Sequence, residues 1–381
     1  MRQWRAVGLA LAVTILVACG GGTAASRPAT SAGADSSGQR APASVSNGST
    51  SAPGGTASAP QAGQPPSSVT QAAAQEGTVA IYASSNLGKE GVAKLEEAFN
   101  QKYGLHATIQ YTASSSMTRD ASRAITEISA GQPPTWDLMM LTDAHYATFV
   151  QHDALESVDW AALGLANREI LAYDGLAINF VSAFVTPAYN PNVIPPDQAP
   201  KDWNDLLDPK WRGKIGVSTA THHWARLAQV WGDERTTRFM EGLAAQQPVL
   251  GQTPELYNRL TIGEIGIYAS VPDTFAYEAK NTGAPFVQVD TVKPLIATNY
   301  VVGLLKGVQH PNLAKLLAVF MTTPEGQTIW DQYVGGTSMF IEGTPMWRYA
   351  QGKEYVALDA KYAAEQLEPL TEKYGRMVGY R

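Results

Sequence analysis

The run TVAIY at residues 78–82 is rich in β-branched and aromatic side chains, and residues 88–103 follow it with Val92, Leu95, Ala98 and Phe99 at helical spacing. Residues 108–111 (TIQY) are again strand-like. Residues 117–130 place Ala121, Ala124, Ile125 and Ile128 on one helical face, and DLMML at 137–141 reads as a buried strand before a further helix over 144–150. Strand, helix, strand, helix, strand in this order specifies a parallel sheet, because parallel neighbours need a long return connection that a helix supplies. In such sheets ligands sit beyond the carboxyl ends of the strands. Those places are Ser84, Ser85 and Asn86 after the first strand, Ser114, Ser115 and Ser116 after the second, and Thr142 and Asp143, with His145 beside them, after the third.

A second alternation starts later. Residues 214–217 form a strand, 224–231, 236–245 and 254–262 are helical, and 264–269 return as a strand; 275–280 read as a helix and 286–289 as a strand. Two α/β units therefore share one chain, with no Pro/Ser/Gly linker between them. Residues 181–189 and 295–304 are apolar and β-rich, as two hinge strands crossing between lobes would be, and the chain from His310 onward is mostly helical.

Outside this core the sequence changes character. Arg2 and Arg5 precede an apolar run over residues 6–18, too short to span a bilayer and long enough for an export signal. The junction Leu16-Val17-Ala18-Cys19-Gly20 resembles the lipobox of bacterial lipoproteins, which implies cleavage after residue 18 and a diacylglyceryl thioether on Cys19. Acyl chains contribute about 0.8 kcal/mol per buried CH₂, so several together anchor a polypeptide that is itself soluble. Residues 20–75 are Gly, Ser, Ala, Pro, Thr and Gln almost throughout, a composition that cannot bury enough apolar area to offset its ordering entropy. Residues 19–75 thus read as a lipidated, disordered tether whose ends average roughly 40 Å apart.

Composition excludes several function classes. One cysteine in 381 residues makes neither a disulfide framework nor a Cys-rich zinc site. A net charge of −6 without a long basic run argues against nucleic-acid binding, whose affinity comes from neutralising phosphates. The first 75 residues hold four arginines and one aspartate, so residues 76–381 carry −9. The sequence has no Gly-x-x-x-x-Gly-Lys-Ser/Thr loop and no His-Glu-x-x-His, and GVSTA at 216–220 lacks the second glycine of a nucleophile elbow. No catalytic residue and no cofactor is assigned.

The folded part resembles the extracellular solute-binding proteins of ABC importers, in the cluster that includes ferric-ion, thiamine and phosphonate binders. The residues that carry the likeness are LEEAFNQKYG at 95–104, EISAG at 127–131 with WDL at 136–138, YNP at 189–191, PKDWNDLLDPKWRGKIG at 200–216, IGEIGI at 262–267 and HPNLAKLLAVF at 310–320. The resemblance implies a two-lobed periplasmic-binding-protein-like α/β fold of type II, with residues 76–182 and 300–381 in one lobe and 183–299, hinge strands included, in the other. It implies a monomer outside the cytoplasm, tethered to the cell membrane, that captures a small molecule or ion and delivers it to a permease. A surface hydrolase or a ligand-sensing partner on the same scaffold are the alternatives.

Ferric-ion members of that family hold the metal through adjacent tyrosines after the strand equivalent to 264–269. This chain has Ala269-Ser270-Val271-Pro272-Asp273 there, and Asn86 where some iron binders have His. No metal site is assigned. Ser114, Ser115 and Ser116 stand before a helix, where hydroxyls either bind an anion or cap the helix. Ser218, Thr219, Thr221, His222 and Trp224 leave a strand of the second unit and enter a helix. They mirror the first-unit site, with Trp224 placed to cover an apolar or cationic group. His222 and His223 are neighbours and do not share a helical face, so they do not chelate one ion together. Ser270 and Asp273 complete the expected ligand contacts, Asp273 being also a helix cap; Trp203 and Trp211 are assigned to packing.

Overall fold

The computed structural model describes residues 63–83, 85–114 and 116–380. The export segment, Cys19, most of the tether, Ser84 and Ser115 lie outside the described residues.

The strands are β1 (Thr78–Ala83), β2 (Thr108–Ala113), β3 (Leu138–Thr142), β4 (Leu171–Ala172), β5 (Ala177–Tyr189), β6 (Ile215–Ser218), β7 (Val249–Gly251), β8 (Ile267–Pro272), β9 (Val287–Gln288), β10 (Leu295–Gly303) and β11 (Tyr355–Val356). The main path of the sheet runs β2-β1-β3-β10-β5-β8-β6-β7. At one end β2, β1 and β3 are parallel, with Ile81 opposite Tyr111 and Leu138, and at the other β8, β6 and β7 are parallel. Between these ends β10 and β5 run antiparallel to each other, β10 also to β3 and β5 also to β8. The two parallel units expected from the alternation are present, and the two long apolar strands join them. Every residue of β5 is buried, which is why it reads as a mostly apolar run and not as an alternation.

The helices are α1 (Ser67–Glu76), α2 (Gly88–Tyr103), α3 (Met117–Ser129), α4 (Asp143–Gln151), α5 (His222–Trp231), α6 (Asp233–Ala245), α7 (Thr253–Thr261), α8 (Thr274–Thr282), α9 (Pro311–Phe320), α10 (Pro324–Val334), α11 (Pro345–Ala350), α12 (Ala360–Tyr362) and α13 (Glu368–Val378). The first core gathers Leu95 and Phe99 of α2, Leu313, Leu317 and Phe320 of α9 and Trp330 of α10 against Ile81 and Leu138. A neighbouring cluster packs Ala121, Ala124 and Ile125 of α3 on Tyr82 and Met139. The core of the second unit holds Trp203, Trp211, Trp224, Phe239 and Leu243 around Ile215 and Val217. The packing role expected for Trp203 and Trp211 agrees with this: Trp203 is fully buried, and its indole N–H donates to the Pro294 carbonyl at 2.9 Å.

Two boundaries differ from the sequence reading. The tether was expected to continue to residue 75, but residues 67–76 form α1, which packs on α9 with Ala73 fully buried. Glu76 explains the docking. Its carboxylate accepts from the backbone N–H of Asn312 at 3.0 Å and of Leu313 at 2.7 Å, so an acid on one helix caps the positive end of another. At the other end of the chain, residues 311–334 join the first core, whereas Leu367, Leu370, Tyr374 and Val378 lie in the second unit's core against α5 and α6. Leu370, Tyr374 and Val378 recur every four residues, and Tyr374 Oη also donates to Asp233 of α6 at 2.8 Å.

Candidate functional site

Between the two parallel units lies a cleft of about 670 Å³. Its walls are the segments that leave the strands at their carboxyl ends: Ser85 and Asn86 after β1, Ser114 and Ser116 after β2, Thr142 and His145 after β3, Thr219, His222 and His223 after β6, Gln252 and Thr253 after β7, and Thr274 after β8. Thr298 and Tyr300 of β10 contribute from the strand that joins the units. The volume lies within the 300–1,000 Å³ of small-molecule sites.

The two walls touch across the cleft. Tyr277 on α8 donates its hydroxyl to the Gln332 carbonyl at the end of α10. Gly335 caps that helix with φ 70°, and a Cβ there would come within 2.2 Å of the Tyr277 ring, so the approach requires glycine.

A buried ion pair crosses beside the cleft. Arg226 of α5 is fully buried and grips Asp143, itself 5% exposed at the start of α4, with both terminal nitrogens; Nη1 reaches Oδ2 at 3.0 Å. Nη1 also approaches the Ala297 carbonyl at 3.4 Å, and Asp143 Oδ2 accepts from the Asn299 N–H at 3.3 Å. The pair therefore joins one helix from each unit to β10. Arg226 was not among the residues expected in the site; a lone arginine within an apolar helical stretch was the signal available.

Three histidines surround this pair. His145 contacts the Thr142 hydroxyl through Nδ1 at 2.7 Å and the Thr118 hydroxyl through Nε2 at 3.2 Å. His223 lies 3.3 Å from Ser270 Oγ, and its ring packs on that of His222 with centroids 4.5 Å apart. Burial lowers His145 to about 4 and His223 to about 3, with Arg226 adding to both, and burial holds His222 well below its usual range. All three are neutral at pH 7.

Of the expected contacts, Ser85, Asn86, Ser114, Ser116, Thr142, Thr219 and His222 line the cleft. Others are engaged elsewhere. Trp224 does not cover a ligand: it is fully buried in the second core, 5.8 Å from Trp203 and 5.7 Å from Phe239 between ring centroids. Thr221 donates to the Thr371 carbonyl at 3.0 Å, Ser218 is 1% exposed behind the wall, and Asp143 is taken by Arg226. Asp273 stands at the start of α8 but makes no side-chain cap; its carboxylate accepts from the Phe184 N–H at 3.1 Å. Burial pushes it up to about 7, against the opposing effect of that N–H and its neighbours. Gln252, Thr253, Tyr277, Thr298 and Tyr300 were missed. Each lies on a helix start, a helix face or a hinge strand whose orientation only the folded chain defines. Among the described residues, no group of three or more His, Cys, Asp or Glu is placed to hold a metal ion.

Two α/β units joined by two long strands, with a polar cleft between them, define a two-lobed binding protein. The family profile described as bacterial extracellular solute-binding protein matches residues 94–342, and the chain belongs to that family. Its fold is similar to that of iron-bound HitA from Pseudomonas aeruginosa, with a TM-score of 0.64 at 19% identity over 78% of this chain and 99% of that one. It is also similar to AfuA from Actinobacillus pleuropneumoniae with exogenous fructose-6-phosphate bound, at a TM-score of 0.65 and 20% identity over 79% of this chain and 98% of that one. These are type II periplasmic binding proteins, the fold expected from the sequence. An uncharacterized protein of Haemophilus influenzae is 30% identical over 148 residues, 35% of this chain and 41% of that relative, so the match spans less than half of its length.

Proposed function

We propose that the protein is the substrate-binding lipoprotein of an ABC importer, capturing a small polar solute between its lobes and presenting it to a membrane permease. The observation that carries this reading is the cleft itself, walled by hydroxyl, amide and imidazole groups from both lobes at the carboxyl ends of β1, β2, β3, β6, β7 and β8. A ligand there touches both walls at once, so its contacts favour the closed arrangement in which Tyr277 meets Gln332, and closure is the signal a permease can recognise. The residues present suit binding and not covalent chemistry. Among the described residues, the hydroxyls hydrogen-bonded to a histidine are Thr118, Thr142 and Ser270, and the first two hold His145 from both sides as a fixed neutral ring. The anchor on Cys19 and the tether after it would keep the receptor at the outer face of the membrane.

Two measurements test this. Native mass spectrometry of the full chain, followed by a thermal-shift screen over ferric complexes, phosphonates, thiamine, polyamines and sugars, is expected to find a class that raises Tm, because a ligand selective for the native state stabilises it. No response from any class would remove the receptor reading. Cys19→Ala in cells is expected to move the protein from the membrane to the soluble fraction; unchanged membrane association would remove the lipid anchor.

A further inference from the structure

The charge balance of the cleft specifies its ligand more narrowly than the fold does. Among the described residues that line it, one carries a formal charge, Glu278, and it is exposed on the rim. The nearest buried cation, Arg226, is held by both oxygens of Asp143. The three imidazoles beside it are neutral.

Helix starts would be the remaining source of positive potential, and α3, α5, α7 and α8 all begin at the cleft. Three of the four carry their own acid. Asp120 lies in the first turn of α3, paired with Arg119, and Glu255 in the first turn of α7, paired with Arg259 and making a capping box with Gln252; Asp273 stands at the start of α8, its carboxyl raised to about 7 and so only partly ionised at neutral pH. α5 has no acid in its first turn, and the pairing of its Arg226 with Asp143 from the opposite lobe cancels only the arginine. The cleft thus presents no free side-chain cation among its described lining residues. A phosphate ester entering it would give up its hydration without a free side-chain cation to meet it, and would pass Glu278 on the way; an amine would find, among the described lining residues, only that one exposed rim carboxylate and no buried one.

What the cleft offers instead are groups that both donate and accept: the hydroxyls of Ser114, Ser116, Thr219 and Thr298, and the amides of Asn86 and Gln252. These match solute hydroxyls, which also do both. One is waiting for such a partner. Among the described residues Thr298 Oγ1 has no hydrogen-bond partner, although the residue is only 3% exposed and lines the cleft. A buried hydroxyl left unpaired is unfavourable, and a ligand hydroxyl would relieve it. Phe275, Tyr277, Tyr300 and Tyr333 add aromatic surface for the apolar face of a ring.

Resting on the receptor reading above, we propose that the cleft selects an uncharged, hydroxyl-rich solute, a small sugar or polyol, and discriminates against phosphorylated and amine-bearing counterparts.

The test uses the full-length protein in detergent and matched probes: glucose, fructose, trehalose, sorbitol and myo-inositol, then glucose-6-phosphate, fructose-6-phosphate, trehalose-6-phosphate, spermidine and ferric citrate, read by thermal shift and calorimetry. At least one uncharged probe is expected to bind, at least tenfold more tightly than its phosphate ester, with a Kd that does not change between 20 and 300 mM salt. Tighter binding of an ester, spermidine or ferric citrate would overturn this inference and leave the receptor reading standing; silence from every probe would overturn this inference, and silence from the wider screen above would overturn the receptor reading as well. Thr298→Val separates ligand contact from fold. It is expected to weaken the uncharged ligand about tenfold, the worth of one hydrogen bond, while the ligand-free Tm is unchanged or raised. A variant with unchanged affinity, or with a lowered ligand-free Tm, would overturn the role given to Thr298.

Discussion

Two aspartates occupy matching places in the two lobes, Asp143 directly after β3 and Asp273 directly after β8, and the chain treats them in opposite ways. Asp143 receives a guanidinium from the other lobe and a backbone N–H from β10. Asp273 has only backbone N–H donors such as that of Phe184, and its carboxyl rises to about 7. Both follow a strand and begin a helix, so the sequence around them looks alike. The difference lies in which lobe supplies the partner. The lesson is that an acid at a strand's carboxyl end signals a ligand only after its internal partners have been counted.

The largest way to break this comparison is Asp143→Ala, which leaves the Arg226 charge buried without its partner. A loss of about 3–5 kcal/mol in unfolding free energy is expected by chemical denaturation. A loss below 1 kcal/mol would mean that the pair is not a buried tie between the lobes. The double variant with Arg226→Met should recover a large part of the loss, since both charges are then gone.

Asp273 supplies the next test, and here the sign matters. Its folded pKa lies above the unfolded carboxylate value near 3.9, so the folded state binds more protons between pH 4 and 7, and the group's contribution to stability declines as pH rises through that window. The buried histidines act the other way, because folded pKa values below 6.5 reduce stability as pH falls from about 6.5 towards 4. Asp273→Asn keeps an oxygen for the Phe184 N–H and removes the titration. Its Tm at pH 7.5 should exceed that of the parent, with the difference vanishing near pH 4. A difference that does not depend on pH would show that Asp273 titrates normally.

The smallest expected effect sharpens the comparison at the cleft mouth. Tyr277→Phe removes the hydroxyl that reaches Gln332 and should cost about 1 kcal/mol or less. Small-angle scattering of the ligand-free protein should then show a larger mean radius of gyration. An unchanged scattering profile would mean that this contact does not help to hold the lobes together.

Much of the architecture was legible in the chain. The apolar spacing of residues 88–103 and 117–130 and the runs around 78–82 and 137–141 became α2, α3, β1 and β3, because local periodicity reports which face of an element is buried. The long strands β5 and β10 were visible for a related reason, being mostly apolar and buried with few polar interruptions. The short β7 escaped, since three residues carry no period, and so did α1, whose Ser-, Ala- and Gln-rich composition is shared with the tether and whose order comes from Glu76 capping α9. Part of the candidate site followed from one rule, that ligands meet the carboxyl ends of strands, which brought Ser85, Asn86, Ser114, Ser116, Thr142, Thr219 and His222 to the cleft.

The rule could not say which way a side chain turns. Trp224 and His222 are two residues apart on α5, so their side chains leave the helix roughly 200° apart, one into the core and the other into the cleft. By itself, then, the sequence determined the two α/β units, the strands between them and the loops that meet a ligand, because these depend on periodicity along the chain. Tertiary structure alone decided that Arg226 is matched by Asp143 and that, among the described residues, Asp273 has no cation and Thr298 no partner, because such partnerships join residues far apart in the chain, like Asp143 and Asn299 at 156 positions, which no local pattern records.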